Sequence, residues 1–151
     1  MRPIAFALAV LAATPVAAPG FAAPLCDQFG FAGLLAKCNR GAPIELTLAS
    51  GQPLYAGDGP VELQSGAYYE LHVTADGSAE LALQGPDFFR AIWMNEIVIA
   101  DIEVRPMAID SLEFDAAGTV RLSFVAIKPG SYELKIPGSS GDSQRVVLAI
   151  R

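Results

Sequence analysis

Residues 119–138 read TVRLSFVAIKPGSYELKIPG, and this stretch decides the fold prediction. Apolar residues alternate with polar ones on both sides of a Pro-Gly pair, first at Val120, Leu122 and Phe124 and then at Tyr132, Leu134 and Ile136. This period of two is typical of strands with one buried face, and Pro-Gly between such runs favours a turn. The stretch therefore predicts two strands joined by a short turn.

The same alternation extends over most of the chain. It is found at Ile44, Leu46 and Leu48, at Tyr69, Leu71 and Val73, and at Val146, Leu148 and Ile150. The parity slips near Ala100, which predicts a β-bulge. Only residues 28–37 could form a helical turn or two. About eight short strands at this spacing predict an all-β fold, a single antiparallel Greek-key β-sandwich.

Residues 119–138 resemble the closing part of the cupredoxin fold. In that family a strand with Phe leads through a Pro-Gly turn to an aromatic-x-apolar strand and then to the metal loop. Residues 66–81, GAYYELHVTADGSAEL, fit the family more loosely. The resemblance implies a cupredoxin-like β-sandwich domain over residues 44–151.

The resemblance does not extend to the copper ligands of the family. A blue-copper centre needs a Cys thiolate, two His and usually an axial Met. Ile136 stands at the thiolate position, four residues after Tyr132, and PGSSGDSQ at 137–144 contains neither His nor Met. The PDFFR segment at 86–90, where a partner His is expected, also lacks one. The resemblance thus implies a degenerate member of the family, and we predict no cofactor.

The N-terminus has the features of an export signal. Arg2 precedes a long apolar run, and small residues suit cleavage after Ala18 or Ala22. Pro15 and Pro19 interrupt the run, which disfavours a membrane-spanning helix. We predict a signal peptide at residues 1–22, a periplasmic location, and no membrane span after signal removal.

Residues 23–43 are predicted to form an N-terminal loop segment that contains both cysteines. Cys26 and Cys38 are too far apart in sequence for a Cys-x-x-Cys redox motif or a haem-attachment motif. In an oxidising compartment a disulfide between them is the simplest interpretation. A redox-active or metal-binding pair is the alternative.

The chain is acidic. Its formal charge is −6, and it becomes −7 once the predicted signal peptide and Arg2 are removed. Because nucleic-acid binding requires cations that neutralise phosphates, we expect no nucleic-acid partner. The charge could attract cations or a basic protein surface, or it could only keep the domain soluble.

We find no residues that predict catalysis, so we expect a protein that is not an enzyme. His72 is the only histidine and lies on the polar side of its strand, and no Gly-x-Ser-x-Gly motif is present. The alternative is a copper-handling protein with a non-standard site at His72, Met94 and Met107. The pairs Asp101/Glu103 and Glu113/Asp115 are candidates for a weak hard-cation site.

Residues 85–99, GPDFFRAIWMNEIVI, carry large apolar side chains at both odd and even positions. A half-exposed strand does not show this pattern. One interpretation is that one set enters the core while the cysteine loop, with Phe29, Phe31, Leu34 and Leu35, covers the other. The other is a partner-contact surface at Phe88, Arg90 and Trp93. We therefore predict a non-catalytic periplasmic binding or accessory protein that acts through contact with a periplasmic protein partner.

Overall fold

The computed structural model describes residues 25–151, and the predicted signal peptide lies outside these residues. Ten strands and one short α-helix account for most of their regular structure. The elements are β1 (Ile44–Leu48), β2 (Val61–Leu63), β3 (Tyr68–Ala75), β4 (Leu81–Gln84), α1 (Pro86–Phe89), β5 (Ile92–Ile99), β6 (Ile102–Val104), β7 (Ser111–Phe114), β8 (Gly118–Ala126), β9 (Gly130–Lys135) and β10 (Arg145–Ile150). Short 3₁₀ helices span Gly30–Leu35, Lys37–Asn39 and Asp142–Gln144. None of the helices described is long and apolar enough to cross a membrane.

The strands form two five-stranded sheets. The first sheet has the order β1-β3-β8-β5-β6, and the second has the order β2-β10-β9-β4-β7. The prediction of an all-β sandwich is confirmed, but its strand count of eight and its purely antiparallel pairing were wrong. β1 pairs with β3 in parallel, and so does β2 with β10. The chain enters the second sheet at β2 between β1 and β3, so β1 and β3 are not joined by a hairpin and can run in the same direction.

β8 is the central strand of the first sheet, and its alternation fixes the two faces of that sheet. Val120, Leu122 and Phe124 point inward and are buried. Their partners across the neighbouring strands are Val73, Leu71 and Tyr69 on β3 and Ile99, Ile97 and Met94 on β5. The core of the sandwich is therefore built from the residues that the period of two identifies on β8 and β3.

α1 explains why residues 85–99 are apolar at both parities. Pro86 occupies the first turn of this helix, where its missing N–H costs no hydrogen bond, and the N–H of Phe89 donates to the carbonyl of Gly85. The helical turn directs both Phe88 and Phe89 into the core. The prediction that Phe88 is a partner-contact residue was wrong, because its side chain is 0% exposed.

A two-residue turn, not a bulge, causes the parity slip near Ala100. Ala100 and Asp101 both have positive φ, 46° and 65°, as in the type I′ turns that join antiparallel strands. Ile99 and Ile102 face each other across this turn and so lie on the same side of the sheet. The register shift of β5 against β8 lies between Met94 and Glu96 instead.

We expect Phe88→Ala to lower the free energy of unfolding by about 3–5 kcal/mol, the usual loss when a large aromatic is removed from a core. The Phe88 ring lies 5.5 Å from the Phe124 ring on the first sheet and 6.4 Å from the Tyr132 ring on the second. Urea denaturation of the purified protein measures the change. Phe31→Ala is the matched control, because Phe31 is fully exposed and its removal should leave stability unchanged. Equal stability of the two variants would contradict this core.

Candidate functional site

The loop between β9 and β10 occupies the place where the resemblance puts a metal site, and it contains no Cys, His or Met. Ile136 at the thiolate position is buried in the core, and its N–H donates to the carbonyl of Gln144. The far end of the loop is held by an ion pair of Arg145 with Asp142. The hydrogen bond that Arg145 donates to Asp142, aided by the charges of Asp142 and Glu133, raises the pKa of Arg145. Apolar packing and an ion pair hold this loop without a metal.

The residues present do not fit a blue-copper centre. The chain has two cysteines, and these form the Cys26–Cys38 disulfide, as predicted. A disulfide sulfur cannot serve as the thiolate that such a centre requires. The segment where an upstream His was expected forms α1 and places Phe88 and Phe89 in the core. The thiolate and both imidazoles are therefore missing from the positions where the fold would need them.

The alternative site at His72, Met94 and Met107 is not assembled either. His72 lies opposite Arg121 on the outer face of the first sheet, which points away from the second sheet. Met94 lies opposite Phe124 and points inward against the core. Met107 is fully exposed in the segment after β6. Because His72 and Met94 project from opposite faces of one sheet, they cannot bind the same ion.

His72 is held between two carboxylates. Its Nδ1 lies 2.8 Å from Oε1 of Glu45 on β1, and its Nε2 lies 3.2 Å from Oε2 of Glu70 on its own strand. The other side of Glu70 faces Arg40, at 3.8 Å. Both ring nitrogens are thus engaged, and the arrangement links β1 to β3 across the outer face.

The two carboxylate pairs have different environments. Asp101 lies in the β5–β6 turn and Glu103 is bound by Arg105, and both line one cavity on the first sheet together with Glu70, Glu96 and Arg121. Glu113 and Asp115 converge with Glu80, with ligand oxygens within 4.8 Å of one another and all three residues exposed. The sequence did not predict Glu80 as a member of this group, because no local sequence pattern indicates the β4–β7 pairing that places Glu80 beside Glu113 and Asp115. Three exposed carboxylates offer only oxygen, which suits hard cations rather than copper.

Asn39 fixes the cysteine loop, residues 25–40, to the first sheet. Its side chain is buried, and its amide nitrogen donates to the carbonyls of Leu34 and Gly66, each at 2.8 Å. Its Oδ1 accepts from the N–H of Leu25 at 2.9 Å. Asn39 therefore binds two residues of the loop itself, Leu25 and Leu34, and one residue of the turn before β3, Gly66.

Five exposed apolar side chains lie on the cysteine loop, at the start of β5 and just after β8, and we call them the cysteine-loop patch. Its members are Leu25, Phe31, Leu34, Trp93 and Ile127, of which Phe31 is fully exposed and the others are 39–50% exposed. Trp93 lies opposite Val125 on the outer face, and Ile127 follows two residues later. Gly66, which accepts from Asn39, donates to Ala126, so the loop and Ile127 are neighbours.

The prediction that the cysteine loop buries its apolar residues on residues 85–99 was wrong for Phe31 and Leu34, which are exposed. Short polar attachments, not apolar packing of these two residues, hold the loop. Of the predicted contact residues, Trp93 and Arg90 are exposed and Phe88 is not. Leu25, Leu34 and Ile127 were missed because only the fold brings three separate segments together. Only Trp93 could be predicted from the sequence, because it is an aromatic residue in a segment with apolar residues at both odd and even positions.

Cations border the cysteine-loop patch, although the chain as a whole is acidic. Lys37 lies between Leu34 and Asn39 in the loop, and Lys128 directly follows Ile127. Among the ion pairs within residues 25–151, none involves Lys37 or Lys128. Arg40 stacks over the ring of Tyr68, 4.6 Å from its centre, on the same outer face. Three cations, Lys37, Arg40 and Lys128, thus lie in or directly beside the segments that carry the patch, against one acidic residue of the cysteine loop, Asp27.

Several solved copper proteins share this architecture. The blue copper oxidase of Nitrosomonas europaea superposes with a TM-score of 0.51 at 12% identity, over 72% of this chain and 43% of the oxidase. The laccase-like multi-copper oxidase CueO of Ochrobactrum sp. superposes with a TM-score of 0.54 at 7% identity, over 74% of this chain and 31% of the oxidase. A multi-copper oxidase from Pseudomonas thermotolerans superposes with a TM-score of 0.50 at 11% identity, over 72% of this chain and 29% of the oxidase.

These similarities show the fold alone, because the identities are low. The chain spans less than half the length of each of these oxidases. No protein-family model matches the chain, and no curated protein matches its sequence. The cupredoxin-like fold predicted from residues 119–138 is confirmed.

We expect Cu(II) added at one equivalent to produce no intense blue thiolate absorption. The colour requires a Cys–copper bond, and Ile136 occupies that position. Visible absorption of the oxidised protein tests this directly. A band that appears only after reduction would come from Cys26 and Cys38, whereas a strong band in the oxidised protein would contradict our assignment of the β9–β10 loop.

We expect Asn39→Ala to lower the free energy of unfolding by about 2–3 kcal/mol, since it leaves a buried N–H and two carbonyls without partners. Asn95→Ala is the matched control, because Asn95 donates a single hydrogen bond to the hydroxyl of Ser123 at 3.0 Å. That variant should lose only about 1 kcal/mol. Denaturation curves compare the two variants, and an equal loss would show that Asn39 does not hold the loop.

Proposed function

We propose that this chain is a periplasmic, non-catalytic cupredoxin-like protein that binds another protein through the cysteine-loop patch. One observation carries the proposal: five of the nine large apolar side chains exposed within residues 25–151, both exposed aromatic ones among them, belong to the cysteine-loop patch, on a fold whose metal-ligand positions hold core residues. Contiguous apolar surface of this kind usually marks a partner site.

The composition of the patch supports a protein ligand. Trp93 is half exposed on a rigid strand, so it can enter a pocket on the partner without losing backbone entropy. Trp is enriched among the residues that dominate binding energy. Arg90, which directly follows α1, is not a member of the patch, and its guanidinium pairs with Asp87 and Asp110. Phe31 and Leu34 widen the apolar surface around the Trp93 anchor.

The border of the patch indicates the chemistry of the partner. Lys37 and Lys128 are not engaged in ion pairs within residues 25–151, and Arg40 lies on the same outer face. Complementary charge at an interface orients the partners and speeds their association. The partner we propose has an apolar pocket surrounded by Asp and Glu side chains.

The proposed location rests on two features. The first 22 residues have the charge and apolar pattern of a secretory signal. The Cys26–Cys38 disulfide is a bond that persists in oxidising compartments such as the bacterial periplasm. Both features support export.

We expect Trp93→Ala to weaken partner binding by about thirtyfold, the equivalent of about 2 kcal/mol for an interface anchor. The partner is first captured from periplasmic extract on the immobilised protein, then purified for titration. Met107→Ala is the matched control, because Met107 is also exposed but lies in the segment after β6, outside the patch. This control should bind like the unmodified chain.

Trp93 is the only tryptophan, so its fluorescence reports directly on the patch. We expect its emission to shift to shorter wavelength when the purified partner binds, because the indole leaves water. Thermal melting of both variants confirms that they are folded. Full partner binding by Trp93→Ala, or an unchanged emission maximum in the complex, would refute the proposed interface.

A further inference from the structure

β6 is an edge strand, and within residues 25–151 no strand pairs with its far side. It carries apolar side chains that the second sheet does not cover, since Ile102 is 65% exposed and Val104 is 42% exposed. Ile99 and Met107, before and after the strand, are exposed as well. An uncovered apolar edge is a template for another strand, and proteins usually cover or pair such edges.

The register of the β5–β6 hairpin shows which backbone groups of the edge are free. Ile99 and Ile102 flank the two-residue turn, so they exchange hydrogen bonds across it. The pattern alternates along an antiparallel pair, and the next bonded pair is therefore Ile97 with Val104. It follows that the N–H and C=O groups of Glu103, and of Arg105 one step beyond the strand, point to the open edge.

We propose that β6 pairs with β6 of a second copy of this chain, antiparallel and centred on Val104. In this register Glu103 lies opposite Arg105 of the second copy. By symmetry, Arg105 lies opposite Glu103 of the second copy. These are the two residues whose backbone groups point outward, so each pair forms two hydrogen bonds. Pro106 has no N–H, and it falls opposite Ile102 at a position where no N–H is needed.

The side chains fit a second copy better than a foreign strand. Glu103 and Arg105 already approach each other within 3.5 Å in one chain, where Arg105 also lies 3.3 Å from Glu96, and both Glu103 and Arg105 are mostly exposed. In the symmetric pair each carboxylate gains a guanidinium of the other copy, so the edge is complementary to itself in charge. On the opposite side of the strand, Val104 meets Val104 of the second copy, and Ile102 meets Pro106.

Charge reversal with rescue tests the register. Glu103→Arg places a cation opposite Arg105 of the second copy, and Arg105→Glu places two carboxylates opposite each other. We expect each variant to weaken dimerisation about tenfold, since two cross-strand pairs change from attraction to repulsion. The double variant, Glu103→Arg with Arg105→Glu, restores opposite charges and should dimerise like the unmodified chain. Sedimentation over about a hundredfold range of protein concentration measures the effect.

Cross-linking tests the centre of the pairing. Two facing residues at a non-hydrogen-bonded position lie about 4.5 Å apart between Cα atoms, within the range that a disulfide spans. Val104→Cys should therefore form a disulfide-linked dimer in air, because the chain's own cysteines are already bonded to each other. Met107→Cys, exposed but three residues from the centre, is the matched control and should form little disulfide-linked dimer.

A chain that stays monomeric at all concentrations would overturn the proposal. A dimer whose stability is unchanged by both charge reversals would also overturn it. Equal amounts of disulfide-linked dimer in Val104→Cys and Met107→Cys would contradict the proposed centre. Trp93→Ala should leave the dimer unchanged, because Trp93 lies on the outer face of β5 and not on the edge. A dimer lost in Trp93→Ala but kept in Glu103→Arg would assign the contact to the cysteine-loop patch instead. The edge and the patch are thus tested separately.

Discussion

The alternation of side chains along β8 is the constraint on which the rest of the first sheet depends. β8 lies at the centre of that sheet, and its partners on both sides take their orientation from it. Phe124 points inward and brings Met94 inward with it, whereas Val125 points outward and brings Trp93 to the outer face. Arg121 places His72 on the outer face in the same way. A slip of one residue would exchange these faces and bury Arg121, so the register is fixed by the cost of burying charge.

Core packing also explains why this fold lacks the blue-copper ligands at the positions where the resemblance puts them. Ile136 and Phe88 occupy places where ligands of the family would stand, and both are part of the core. Such a position can hold either a packed apolar side chain or a metal ligand, because a buried thiolate or imidazole without a metal would need other partners. The soft donors that remain are separated by the faces of the first sheet. The surface of residues 25–151 has exposed apolar side chains mainly at the cysteine loop and along β6.

The sequence predicted the parts of the structure that local patterns determine. The alternation at Val120, Leu122 and Phe124 identified both the strand and its buried face, and the spacing of Cys26 and Cys38 identified the disulfide. The parallel pairing of β1 with β3 could not be predicted, because it depends on β2 entering the other sheet. A helix of four residues has too little periodicity to be distinguished from a strand, so Phe88 was placed on the surface. Asn39 gave no signal, since its three partners come from distant or irregular segments.

The two proposed contacts are linked by symmetry although they use different surfaces. A dimer formed through β6 carries two cysteine-loop patches, one on each copy, on a continuous sheet of fixed geometry. A partner with two binding sites at a matching distance would then gain affinity without any new contact, since its second site binds within the same complex. A partner with one site would gain nothing from the dimer. Weakening the β6 pairing by Glu103→Arg would therefore lower apparent affinity only for a divalent partner, whereas Trp93→Ala would lower it for either kind.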